Sequence, residues 1–294
     1  MCIKYPQGGQ ISGVAHGELG RMHRGPRRAW RTLILAAVCS IAVTGAETGA
    51  VAGDAAPTPP MRGSTPTCLG QEATLVGTPG PDELKGTHGD DVIVARGGRD
   101  RVFSIKGTDL ICGGGGDDLL CGGTEPTGGG SGPPEGCHLN ARVARGPHQV
   151  SGGAGNDRLF IRRGALFGGD NRDSLTASAA EADSRLVGGE GDDLLESDAD
   201  AGQVVGVGGL GDDDIRFQNS GDRIRGGAGR DRLRGGGGAD EVRGGPGSDR
   251  LTGNRSDDRL FGQTGDDLLD GGEGRDRCSG GRGDDRRTAC ESGT

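Results

Sequence analysis

The chain has 294 residues and a formal net charge of −9; 65 residues are glycine and only 2% are aromatic. So few large apolar side chains exclude an ordinary globular core. The acidic balance disfavours nucleic acid as a partner and suits cations.

From the N-terminus, Arg21, Arg24, Arg27, Arg28 and Arg31 form a basic stretch before the apolar run Leu33–Val43 and the small-residue segment TGAETGAVA. That order reads as a secretory signal over residues 1–52, with Met22 as an alternative start and cleavage near Ala46 or Ala52. The apolar run falls short of the about 20 residues that span a membrane, so no stable span is expected after cleavage. Residues 1–52 hold six basic and two acidic residues, so their loss takes the charge to −13. Residues 53–76 are a linker and N-terminal cap, opening on the flexible stretch GDAAPTPPMRGSTPT.

A nine-residue period then takes over. In each unit glycine favours places one, two and four, aspartate holds place six, and Leu, Ile or Val holds place eight. Disordered low-complexity chain keeps no such register, whereas a solenoid of stacked units does. The first array, residues 77–121, places Asp82, Asp91, Asp100, Asp109 and Asp118 at the sixth position. Residues 122–151 are an insertion loop followed by a degenerate unit with His148 at the aspartate place.

The second array, residues 152–288, has longer turns at first. Its units start at Gly152, Gly168, Gly188, Gly208 and Gly226, at spacings of 16, 20, 20 and 18. If one coil is two units, Asp157, Asp173, Asp193, Asp213, Asp231, Asp249, Asp267 and Asp285 fall in one row. Asp222, Asp240, Asp258 and Asp276 fall on the opposite edge. In the middle of the chain that second edge carries ASAAEADSRLV and SDADAGQVVGV, so it is interrupted. Residues 289–294 are a C-terminal cap, announced by Arg287 at a place otherwise apolar.

The glycine-rich first six residues of a unit suit turns that need positive φ. The last three suit a short strand with one inward side chain. Aspartates in neighbouring coils would then stand about 4.7–4.9 Å apart. Each pair would repel by ~1 kcal/mol in water and ~4 kcal/mol near a protein surface. A cation between coils reverses that sign. Calcium, which takes 6–8 oxygens in flexible geometry, suits carboxylates and glycine carbonyls better than octahedral magnesium does.

The units GGAGNDRLF, GGEGDDLLE, GGAGRDRLR and GGPGSDRLT resemble the RTX, or hemolysin-type, calcium-binding repeat of consensus GGxGxDxUx, where U is apolar. The resemblance covers residues 77–288 and implies an all-β fold, a right-handed parallel β-roll or β-solenoid. It also implies several Ca2+ ions held between coils by the sixth-place aspartates and glycine carbonyls. No catalytic domain accompanies the repeats, and extracellular or cell-surface polymers are the expected partners. A solenoid held by Arg–Asp ladders without calcium is the alternative, because residues 217–288 hold 14 arginines and 14 acidic residues. A secreted enzyme is the third reading.

Six cysteines follow the leader, and their positions suggest Cys68–Cys112, Cys121–Cys137 and Cys278–Cys290 as disulfides of an exported chain. No CxxC or HxxxH spacing supports zinc instead. His88, His138 and His148 read as loop residues.

Overall fold

The computed structural model describes residues 64–123, 137, 147–178, 183–198 and 202–291. The expected leader, the start of the linker, His138 and most of the insertion lie outside the described residues.

Twenty-four strands are present among the described residues. The first two, β1 (Thr67–Cys68) and β2 (Gln71–Glu72), form an antiparallel hairpin. The other strands alternate between two eleven-stranded sheets. Odd strands, from β3 (Leu75–Val76) to β23 (Arg277–Arg282), form one; even strands, from β4 (Glu83–Lys85) to β24 (Arg286–Thr288), form the other. Every pairing within both sheets is parallel, and the chain changes sheet at each turn. This is a parallel β-roll, with no helix among the described residues.

One apolar residue per unit makes the core. Ile93, Val102, Ile111, Leu120, Leu159, Leu233 and Leu260 are all fully buried in a single cluster that runs the length of the roll. Register follows, since a slip by one residue would turn this row outward. The coil spacing is 18 residues through both regular arrays, as in Leu233 against Leu251. It becomes 39 across the insertion, where Leu120 pairs with Leu159.

Most strands are longer than three residues. In β5 (Val92–Gly97) the strand runs on through the first three places of the following unit. A glycine at place two then bends it at positive φ, as Gly245 does at +142°. Glycine is required there twice over, because a methyl on Gly245 would collide with the Gly227 carbonyl of the preceding coil.

The degenerate unit at Phe217 also has a packing reason. In β15 (Val204–Leu210), Gly206 stands in register between Leu186 and Ile224, where an apolar side chain belongs. The Phe217 ring fills that gap, with Cζ 2.7 Å from where a Gly206 methyl would sit.

All three disulfides join the expected pairs, Cys68–Cys112, Cys121–Cys137 and Cys278–Cys290. The first fixes the hairpin over the outer face of β5 and β7 (Leu110–Gly115), where Cys68, Val94 and Leu110 are buried together beside Val92. At the far end Arg287 is exposed and donates to the Cys278 carbonyl, so the last coil offers no apolar side chain to a further one.

Replacing Leu233 by Ala is expected to cost about 2–5 kcal/mol. Removing the Cys68–Cys112 bond by a double serine change should cost about 2–4 kcal/mol. The outward Arg234→Ala change should stay within about 0.5 kcal/mol. Urea unfolding midpoints with calcium present check all three.

Candidate metal centre

The sixth-place aspartates form two columns, one along each edge where the sheets meet. In the first, the backbone N–H of each aspartate donates to Oδ1 of the aspartate in the next coil. The chain runs Asp82, Asp100, Asp118, Asp157, Asp173, Asp193, Asp213, Asp231, Asp249, Asp267 and Asp285. Spacings of 16, 18, 20 and 39 residues all deliver an aspartate to the same place. The expected continuous row is present.

The second column is broken. Asp91 donates to Asp109, whose own N–H reaches His148 Nδ1 at 3.3 Å. It resumes when Val204 N–H donates to Asp222, and continues through Asp240, Asp258 and Asp276. His148 is not a loop residue. It opens β9 (His148–Ala154), is fully buried and contacts Asp109 Oδ2 at 3.2 Å. Its ring nitrogen takes the acceptor role that Oδ1 fills elsewhere. His88 lies exposed in a turn, as expected.

Burial of these carboxylates was not legible in the sequence. Asp100, Asp109, Asp231 and Asp276 have no exposed surface. Each column aspartate does two structural jobs, for its carbonyl also accepts the N–H that starts the strand in the next coil, as Asp231 does from Arg250. Oδ1 is thus occupied. Oδ2 is buried and unpartnered in Asp100, Asp118, Asp157, Asp173, Asp193, Asp213, Asp222, Asp231, Asp240, Asp249, Asp258, Asp267 and Asp276, while that of Asp109 meets His148. An ionised oxygen buried without a partner is strongly unfavourable unless a cation or proton satisfies it.

What Oδ2 faces explains glycine at place one. A methyl on Gly77 would lie 2.7 Å from Asp82 Oδ2 and 2.6 Å from the Ala95 carbonyl oxygen of the next coil. On Gly152 the same space is bounded by Asp157 Oδ2 and the Gly168 carbonyl oxygen. A carboxylate from one coil and a carbonyl from the next converge where a side chain would otherwise begin. Where the second column lacks aspartate, Ile161, Ala177 and Ser197 occupy the equivalent register instead of glycine. Among the described residues no three His, Cys, Asp or Glu side chains form a cage. The donor set is therefore carboxylates joined by backbone carbonyls, hard oxygens that fit calcium.

Electrostatics agree with that donor set. Burial pushes Asp173 and Asp240 up to about 8, helped by the like charges on either side, while the N–H bond to Oδ1 offsets part of the rise. Asp118, Asp213 and Asp222 are raised to about 7 by the same burial. Asp157, Asp193, Asp231, Asp249 and Asp258 are raised to about 6.

A second ladder runs outside the first and gave no signal in the sequence. Place-five N–H groups donate to the place-five side chain of the preceding coil, as Arg230 does to Asp212 and Asp284 to Asp266. Between residues 217 and 288 no arginine stands within ion-pair distance of a column aspartate. Arg216 pairs with Asp214 and Glu196, Arg243 with Glu241 and Arg275 with Glu291, all outside the two columns. Such surface pairs contribute about 0–1 kcal/mol each.

Fold and candidate site together describe a repeat solenoid in which carboxylate and carbonyl oxygens recur at both edges of a parallel roll. The family model of the RTX calcium-binding nonapeptide repeat, in four copies, matches residues 73–104, 106–124, 149–164, 218–251 and 252–286. The chain belongs to this family of RTX calcium-binding repeat proteins. No curated protein matches it. The coils between residues 165 and 217 lie outside the family match, yet Asp173, Asp193 and Asp213 continue the first column through them.

The carboxylate shifts set a pH dependence for the metal-free chain. Folded-state values lie above the unfolded value of 3.8, so the folded chain holds more protons. The stabilisation is complete below that value and is lost as pH rises through about 6 to 8. Far-UV circular dichroism in chelator should therefore show more β-structure at about pH 5 than at about pH 8.5. Calcium, which replaces those protons, should remove the difference.

Proposed function

We propose that this protein is an exported, non-catalytic β-roll whose folding is coupled to calcium and whose role is structural or adhesive. Calcium binding itself follows from the family. The observation that carries the coupling of folding to calcium is the row of buried, unpartnered Oδ2 atoms. At neutral pH the metal-free roll would hold charges that neither solvent nor arginine satisfies, so the cation supplies folding free energy. The sites are assigned to Asp82, Asp100, Asp118, Asp157, Asp173, Asp193, Asp213, Asp231, Asp249, Asp267 and Asp285 on one edge. On the other they are Asp91 with Asp109, and Asp222 with Asp240, Asp258 and Asp276. Carbonyls of the facing first-place residues complete each set.

Three disulfides support an oxidising compartment, and the basic and apolar order of residues 1–52 supports export to it. Coupling to calcium would leave the chain unfolded where calcium is scarce and fold it outside.

Asp249→Asn separates the metal from the fold. Asparagine keeps an Oδ1 acceptor for the Asp231 N–H but removes the charge. Calcium titration should show affinity at the affected sites reduced by about tenfold or more. In chelator the variant should be no less stable than the parent. Full β-structure in the parent without calcium at neutral pH would favour the calcium-independent solenoid instead.

A further inference from the structure

The arginines of the second array are spatially segregated from its acids. Between residues 217 and 288 the outward strand positions hold nine of the 14 arginines, but only Glu241 and Asp270 of the acidic residues. Eight of the 14 acids stand in the two columns instead. Neutral on paper, this array has basic faces and acidic edges.

One face is the more developed. Across β17 (Arg223–Ala228), β19 (Glu241–Pro246), β21 (Arg259–Thr264) and β23, the register stacks Arg223, Glu241, Arg259 and Arg277 in one row. A parallel row holds Arg225, Arg243 and Phe261. Arg243 pairs with Glu241 at 2.7 Å and lies over the Phe261 ring at 5.3 Å from its centroid. Arg223, Arg225, Arg259 and Arg277 are exposed, and among the described residues none has a carboxylate within ion-pair distance. Like charges stacked at strand spacing, about 4.7–4.9 Å, repel one another. Nothing in the fold requires them there.

We propose that this face docks a linear acidic polysaccharide, and that calcium in the adjoining columns turns the surface cationic enough to hold it. The inference rests on the calcium-binding reading above. Cations in the columns satisfy eight carboxylates and leave 14 arginines against six acidic residues. Guanidinium groups pair bidentately with carboxylate or sulfate. A flat row with one step per strand matches a polymer whose charges recur along an extended backbone. Phe261, half-buried between Arg243 and Arg259, offers an apolar surface for a sugar ring. A single aromatic on the face gives no platform for successive nucleobases, which single-strand binding surfaces use.

The test uses the full chain with disulfides intact, immobilised heparin as probe, dextran as the neutral control and a DNA duplex as the rival polyanion. Heparin should retain the protein in calcium, not in chelator or magnesium, and release it as salt rises. The triple change Arg225→Ser, Arg259→Ser and Arg277→Ser should weaken binding by about tenfold or more, at unchanged far-UV signal in calcium. Arg230→Ser with Arg275→Ser, both in turns between strands, should change it by less than about twofold. A calcium-folded protein that ignores heparin sinks this inference and leaves the calcium-folded roll standing. Equal retention of the triple variant, equal retention in chelator, or tighter binding to DNA also overturns it. Calcium that changes neither β-signal nor retention overturns both readings together.

Discussion

Everything in this roll depends on how each sixth-place aspartate is held. Along the columns its N–H is tied to the aspartate of the next coil, its carbonyl starts the next strand, and in most coils its Oδ2 is left without a hydrogen-bond partner in a space closed to water; in Asp82 and Asp91 the residues Thr78 and Thr87 hold it instead. The ladder places like charges in file, and the file is stable only when something positive enters it. Protons can serve at low pH, and on the proposed function calcium takes their place at neutral pH. Core, turns and caps are arranged around that requirement. One buried aliphatic side chain per unit is too thin a core to offset the cost of ordering a glycine-rich chain.

Glycine and aspartate are two halves of one device. The carboxylate occupies the volume that a first-place side chain would need, so the pair appears and disappears together. Ala95, Ser104 and Phe217 are the exceptions among the aspartate-bearing units. Phe217 is explained by the gap above Gly206. Where aspartate is absent from the second edge, Ile161 and Ala177 extend the apolar core into the vacated space. The two edges are therefore built differently through the middle coils: one carries oxygen donors throughout, the other substitutes packing. His148 marks the changeover, accepting the last N–H of the first segment with a ring nitrogen.

The arginines take their meaning from this frame. On a single-stranded tally they cancel the acids of the second array. In the roll they are carried on the outer sheet faces while the column acids turn inward at the edges. Charge that looks balanced along the chain is separated across it, and a cation entering the columns changes the balance on the faces.

By itself the sequence determined the period, the two-unit coil, the inward row and the membership of both aspartate columns. Each follows from fixed spacing, and even the irregular spacings of 16 and 20 kept their register because only the turns on one edge changed length. Cysteine positions near the ends and the insertion were enough to suggest the disulfides. Tertiary structure decided what spacing cannot express. Burial of the carboxylates, the spare Oδ2, the swap of Gly206 with Phe217 and the burial of His148 all arise from atoms brought together by neighbouring coils. A linear repeat records which residue recurs, whereas the partner of each atom is fixed by the coil stacked against it.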